Sequence, residues 1–239
     1  MRAFLVLLVV STAGCAVEPL TAARTYTQYA YAVVQQDADE AEDENLALAL
    51  YLQDRARGFY RRGRDHGLRG LGVSAEALRR EPRRVLARAQ PADVALLYWT
   101  GASWGALISL SKEDPEALAD VPAVEALIDR ALELDEAFER GAIHTFLISY
   151  EMVRQGAAGD PAARARKHFA RAVELSGGAD AAPMLALAEA VCVPAQRRAE
   201  FDALIDQALR VRGGDRLATL VMQRRARWLR SRADRLFID

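Results

Sequence analysis

The sequence predicts an all-α solenoid of stacked helical hairpins, and three observations carry that expectation. An apolar pattern recurs: Val124, Leu127, Ile128, Ala131 and Leu132 fall at i, i+3, i+4, i+7 and i+8. Ala165, His168, Phe169, Ala172 and Val173 do the same, as do Phe201, Leu204, Ile205, Ala208 and Leu209, at offsets of 41 and then 36 residues. The copies also end alike, in Ala131-Leu-Glu-Leu134, Ala172-Val-Glu-Leu175 and Ala208-Leu-Arg-Val211. Finally, no segment alternates apolar and polar residues over five or more positions with β-branched enrichment, so no sheet is expected. Self-similarity at this period marks an array in which each hairpin buries its face on its neighbours. The length and endings suit degenerate tetratricopeptide-like units. Such arrays bind partners far more often than they catalyse.

The chain opens with what reads as a lipoprotein signal peptide over residues 1–14. Arg2 precedes an apolar run from Ala3 to Val10, then Ser11, Thr12, Ala13 and Gly14, then Cys15. The run is too short to span a bilayer as a helix. Small residues ending in Gly-Cys resemble a bacterial lipobox, with Thr12 where leucine is commoner. That implies cleavage before Cys15 and a diacylglycerol on its sulfur; a buried apolar N-terminal helix is the competing reading. Several acyl chains on one cysteine anchor a protein stably, whereas a single chain binds only marginally. Ala16 after the cysteine, rather than Asp, points to the inner leaflet of the outer membrane. Residues 15–22 then form a short tether and residues 23–239 a single helical domain.

Helix signals follow in order. Thr21 to Gln36 puts Tyr26, Tyr29 and Val33 on one stripe, and Asn45 to about His66 ends at Gly67 and Gly70. Ser74 caps a short turn to Arg80. Pro91 opens a helix to about Ser111, where Pro115 forbids continuation. Asp120 and Pro122 start a helix over 121–138, Gly141 breaks it, and Ala142 to Gln155 follows. Asp160-Pro161 is a cap followed by proline at the first helical position, and Gly177-Gly178 stops that helix. A helix over 180–193 precedes one over 195–211, which Gly213-Gly214 stops, and Asp215 begins a last helix to about Leu236. Helices 91–111, 142–155 and 180–193 are thus first members of three hairpins. Helices 121–138, 161–176 and 195–211 are the second members.

The first helices are apolar on more than one side. Val94, Leu97, Gly101, Trp104 and Ile108 form one stripe, and Trp99 lies about 140° from Trp104 on the wheel. A helix with two apolar faces contacts something on both, so Trp99 faces a groove, a neighbouring subunit or the preceding hairpin. Tyr26, Tyr29, Tyr31, Tyr98, Trp99, Trp104, Phe146 and Tyr150 are core residues by default. Their hairpins nevertheless bring them toward one inner surface, suited to an apolar channel for a ligand or a partner's helix. Ser103 sits within Gly101-Ala-Ser-Trp-Gly105, a small-residue pattern that permits close helix packing. His144, Ile148 and Glu151 share the second face of their helix at i, i+4 and i+7. With no nucleophile or second carboxylate placed beside them, they suit a ligand groove or an interface better than acid–base catalysis. His168 stands where Leu127 and Leu204 stand in the other copies and reads as a satisfied core histidine.

Charge excludes further classes. A formal net charge of −1 on 239 residues gives no global field that would recruit nucleic acid or an acidic membrane. The distribution is uneven: six acids lie between Asp37 and Glu44, and eleven arginines between Arg55 and Arg88. Two cysteines make no disulfide framework, and Cys192 reads as a small buried hydrophobe. No nucleotide loop, zinc spacing or paired-cysteine motif occurs, so neither cofactor nor metal is expected.

The stretch Tyr98-Trp-Thr-Gly-Ala-Ser-Trp-Gly-Ala-Leu-Ile-Ser-Leu110 resembles the T-component lipoproteins (TatT) of tripartite ATP-independent periplasmic (TRAP) transporters. So do Pro122-Ala-Val-Glu-Ala-Leu-Ile-Asp-Arg-Ala-Leu-Glu-Leu-Asp135 and Gly141-Ala-Ile-His-Thr-Phe-Leu-Ile-Ser-Tyr150. Thr27-Gln-Tyr-Ala-Tyr-Ala-Val33 and Gln223-Arg-Arg-Ala-Arg-Trp-Leu229 fit as well. The resemblance covers about residues 24 to 239 and includes no catalytic signature. It implies a periplasmic α-solenoid that forms homotrimers, has a pore or cleft through each protomer, and pairs with a solute-binding P component for hydrophobic or organic-acid ligands. Members of that family carry a further hairpin between the lipidated cysteine and the Thr27 segment, whereas here Cys15 and Thr27 are twelve residues apart. The expectation is a non-enzymatic, membrane-tethered accessory that holds the binding protein, passes it ligand, or both. A generic envelope scaffold without a ligand is the alternative.

Overall fold

The computed structural model describes residues 18–238; Cys15 and the signal segment lie outside them. Among the described residues all regular structure is helical and no strand occurs, the class the repeat predicts. Helix α1 covers 19–41, with a π-turn at Ala30–Gln35 in its middle, and α2 is Leu46–Leu71. Short helices α3 (Ala75–Arg80) and α4 (Pro82–Leu86) lead to α5 (Val94–Ser109), α6 (Pro115–Leu118) and α7 (Val121–Leu134). Then come α8 (Ala142–Tyr150), α9 (Pro161–Ser176) and α10 over 182–192, which ends in a second π-turn at Ala188–Cys192. Helices α11 (Arg198–Arg210), α12 (Arg216–Ser231) and α13 (Ala233–Leu236) complete the chain.

The boundaries follow local chemistry. Pro19 occupies the first turn of α1, where its missing N–H costs nothing, and the Glu18 carboxylate accepts from the N–H groups of Leu20 and Thr21 at 3.1 and 2.8 Å. Asn45 caps α2 by accepting from Leu48 N–H at 3.0 Å. Ser74 and Asp160 cap α3 and α9 as expected, accepting from Ala77 and Ala163 N–H. Helix α2 does not stop at Gly67 or Gly70. It runs on to Gly72, whose φ of 64° closes it with a Val73 N–H to Leu68 carbonyl bond of 3.1 Å. The earlier glycines serve contact instead of termination. A Cβ on Gly63 would run into Ser103 Oγ, and one on Gly67 would lie 2.9 Å from Thr100 Cβ and 3.2 Å from its Cα.

Those contacts seat α5 against both α2 and α1. Helix α7 packs on α5, α9 on α8, and α10 lies against α8, α9 and α11, while α12 covers α11 and α10. Helices α1, α5, α8, α10 and α12 are therefore the first members of successive hairpins and make one inner course. The buried apolar side chains fall into three clusters. One lies among the ends of α2, α4, α5, α7 and α8 around Trp104 and Leu127, and a second among α8 to α13 around Phe201 and Ile205. A small third cluster joins Val34, Tyr60 and Leu107.

The two ends of the array meet. Gln36 donates to the Val221 carbonyl, Arg224 binds Asp37 and Glu40, Arg225 binds Asp39, and Arg232 and Arg235 bind Asp43. The increasing numbers on both sides mean that α12 runs parallel to the second half of α1. The acidic run from Asp37 to Glu44 thus has a definite use: four of its six carboxylates tie α1 and the turn after it to α12 and α13.

Candidate functional site

Both π-turns converge on Arg225. Its Nη1 donates to Asp39 Oδ2 of α1 at 2.5 Å and its Nη2 to Glu189 Oε2 of α10 at 2.6 Å, while its guanidinium carbon lies 4.2 Å from the Trp228 ring centroid. Glu189 belongs to one π-turn, and Tyr31, which shares this charged neighbourhood, belongs to the other. A π-turn widens the helix by one residue and re-aims the side chains that follow, a device concentrated at functional sites. Burial, reinforced by Glu189, pushes the Tyr31 phenol up to about 12, so it keeps its proton at neutral pH. Three first helices therefore present a phenol, two carboxylates, an arginine and an indole to one another on the inner course. Arg225 is already divided between two carboxylates. Its primary action is to hold the ends together.

A second aromatic group lies along the same course. Tyr98 meets Trp99 edge-on at 5.0 Å and Phe138 at 5.3 Å, and burial raises its phenol, with Glu139 adding to the effect. Trp99 is buried, and the Arg24 guanidinium of α1 sits 5.4 Å from its ring. Of the three environments open to Trp99, the structure supplies the preceding hairpin.

The remaining sequence-selected residues separate. Tyr26 stacks on Phe59 at 6.1 Å and meets His66 at a tilt at 5.6 Å, and Tyr29 meets the same Phe59 edge-on at 5.2 Å. These two belong to the flank of the first hairpin and do not join Trp99. Ser103 is buried, its hydroxyl paired with Thr27 across α5 and α1. Trp104 is fully buried and donates from Nε1 to Asp120 Oδ2 at 2.9 Å, an acceptor it shares with Arg79. Ile148 fills the C-terminal core. Tyr150 donates to Glu125 at 3.2 Å, under the Arg154 guanidinium.

His144 and Glu151 join through a residue from the next helix. His144 Nδ1 and His168 Nδ1 are 2.8 Å apart, so one imidazole donates and the other accepts. His144 Nε2 lies 3.5 Å from Glu136, and His168 Nε2 lies 4.0 Å from Glu151. Burial raises Glu151, but hydrogen bonds from Arg164 and Arg154 outweigh it and hold the carboxyl below its ordinary range. A carboxylate fixed by two arginines is a poor base, and the line Glu136–His144–His168–Glu151 binds α9 to α8. His168 is the satisfied histidine its repeat position predicts.

Sequence reasoning placed Tyr31 among the inner aromatics but did not join it to Glu189 and Arg225, although one signal was present. Between Ala181 and Val193 Glu189 is the sole charged residue, and a lone carboxylate in an apolar helix requires a buried partner. Nothing in the chain marked Arg225, 36 residues on, as that partner.

The sequence pattern of the TRAP transporter T-component family matches residues 18–237. A relative from Treponema pallidum (strain Nichols), itself an uncharacterized protein, is 27% identical over 232 residues, which cover 92% of this chain and 72% of the relative. The family is a transport accessory rather than an enzyme class. The match over residues 18–237 shows that this chain belongs to the TRAP transporter T-component family.

Proposed function

We propose that the protein is a lipid-anchored periplasmic accessory that binds the solute-binding P component of a TRAP system and passes it an apolar or organic-acid ligand. Family membership over nearly the whole chain is the observation that carries this reading. The inner course supports it: Tyr31 and Tyr98 lie where first helices converge, and half-buried phenols that keep their protons suit a ligand with an apolar body and a polar end. Among the described residues no helix is long and apolar enough to cross a membrane, so the proposal assigns attachment to an acylated Cys15. Assembly into trimers belongs to the same proposal.

The test is affinity capture from periplasm with the tethered protein, followed by native mass spectrometry of the purified chain. Recovery of a solute-binding protein, together with a trimer that retains an apolar molecule, is the expected result. Capture of no solute-binding protein at any salt concentration would count decisively against the P-component role. An empty species that still captures it would confine the role to holding the partner.

A further inference from the structure

The charge on this chain is sorted along its first hairpin. Between residues 61 and 88 there are nine arginines and three carboxylates. The fold gathers this stretch around the point where the chain enters α1. A Cβ on Gly70 would lie 3.0 Å from Pro19 Cβ, so the last turns of α2 flank the first turn of α1. Arg88 donates to the Gly72 carbonyl at 3.3 Å, which brings the far end of the stretch back to the same place.

Arg62, Arg69, Arg83, Arg84 and Arg88 are exposed there. Elsewhere Arg224 and Arg225 of α12 are bound to Asp37, Glu40 and Asp39 of α1, whereas among the described residues Arg62, Arg69 and Arg83 have no carboxylate partner. Arg84 has only Glu81, itself 55% exposed. Helix α1 has 23 residues and is about 35 Å long, so the acids at its far end do not offset this charge, and Glu18, Asp65, Glu76 and Glu81 near it leave the arginines in excess.

Cys15 precedes Glu18 by three residues, which span at most about 10 Å. On the reading that Cys15 is acylated, on which this inference rests, the basic end is the part of the fold held nearest the lipid. Between the arginines at 83–88 the apolar residues Val85 and Leu86 are half-buried and buried, so this part of the surface presents charge and no exposed apolar anchor, while Arg62 at its margin lies over the Tyr26 and Phe59 rings. We propose that this end lies on the bilayer and binds anionic phospholipid headgroups, orienting the closed array with the Asp37–Glu44 end directed away from the membrane.

Vesicle binding of the full chain carrying Cys15→Ser tests this without the acyl anchor. Vesicles of phosphatidylcholine alone are compared with vesicles of equal parts phosphatidylcholine and phosphatidylglycerol, so that any insertion of the apolar N-terminal run is common to both. Binding is expected to favour the anionic vesicles and to weaken with salt. Combining Arg69→Glu, Arg83→Glu and Arg88→Glu is expected to reduce it about a hundredfold, from about 1 kcal/mol per basic residue. Combining Arg210→Glu, Arg216→Glu and Arg227→Glu makes the same change in net charge elsewhere and is expected to preserve it.

Indifference to headgroup, or equal losses in the two triple variants, would overturn the basic-end surface. So would a basic-end variant that keeps its vesicle affinity and loses capture of the solute-binding protein, because the surface would then serve a protein. Mass spectrometry of the native protein decides the tether separately. An unmodified Cys15 would remove the tether and this orientation, whereas headgroup-indifferent binding would remove the surface and leave the transport role standing.

Discussion

Asp39 and Arg225, 186 residues apart, form a 2.5 Å ion pair that joins the first helix of the array to the last. Glu189 holds the other edge of the same guanidinium. The Arg225 side chain is 13% exposed, so removing it leaves two carboxylates facing each other in a poorly solvated place. Arg225→Ala is expected to cost about 3 kcal/mol of unfolding free energy, because breaking a buried pair strands its partners. Arg225→Lys should recover only part of this, since an ammonium cannot bind two carboxylates as a flat fork does. Arg235→Ala, at the exposed edge of the same junction, should cost under about 1 kcal/mol. Urea unfolding of the three variants checks the ranking, and equal losses for Arg225 and Arg235 would mean that the ends are not joined at Arg225.

Gly67 is placed for contact and Gly58 is not. A methyl group on Gly67 would press on the Thr100 side chain and lie 3.2 Å from its Cα, which cannot move without shifting α5. Overpacking of that kind costs about 1–3 kcal/mol and outweighs the roughly 1 kcal/mol that alanine gains over glycine in a helix. At Gly58 a Cβ meets nothing within 4 Å, so only the gain remains. Gly67→Ala should lower the thermal midpoint and Gly58→Ala raise it. A rise in both would show that α2 and α5 do not approach so closely.

Glu151 separates structural from functional roles at the third hairpin. It is 3% exposed, and Arg154 and Arg164 both donate to it, at 2.9 and 2.5 Å. Glu151→Gln keeps the shape, removes the charge and leaves one side-chain acceptor oxygen for two arginines, beside the main-chain carbonyls at 151, 158 and 159 that already accept from Arg164. A loss of about 2–3 kcal/mol in stability with unchanged capture of the solute-binding protein is expected. Lost capture at wild-type stability would instead make Glu151 a contact residue, as its place on the second face of the helix expected over 142–155 suggested.

Much of the fold was legible because the second helices carry one apolar stripe each, and period 3.6 with glycine and proline punctuation reads directly from such a stripe. The first helices carry a repeat of their own that is as plain once aligned at 40 residues. Gly101-Ala and Leu107-Ile-Ser109 return as Gly141-Ala and Leu147-Ile-Ser149, with the same order of burial. That register places Trp104, His144 and Met184 at one position, and explains why the first two need polar partners, Asp120 and His168. The closure of the array was not legible. It depends on where α1 and α12 arrive after every hairpin has added its turn, and no local pattern encodes that sum. The scatter of Tyr26 and Tyr29 away from Trp99 has the same origin, since Phe59 on α2 claims both rings.

Acid should loosen the third hairpin through His144 and His168. Their 2.8 Å contact joins two like nitrogens and exists only while one of them lacks a proton. Burial holds both imidazoles below the ordinary 6.5, with Arg171 opposing the charge on His144 and His144 itself opposing that on His168. Glu136 and Glu151 favour the charged forms without reversing the shift, and Arg154 works against them at His168. The folded chain therefore binds fewer protons than the unfolded one below 6.5. The contribution of the pair is complete above that pH and declines as the pH falls through it. The next hairpin provides the comparison, since Met184 and Leu204 occupy the corresponding positions in its core. The double variant His144→Met/His168→Leu should match the wild type near neutrality and lose less stability between pH 7 and pH 5. Urea unfolding at each pH measures the difference, and parallel curves for the two proteins would show that the pair does not sense acid.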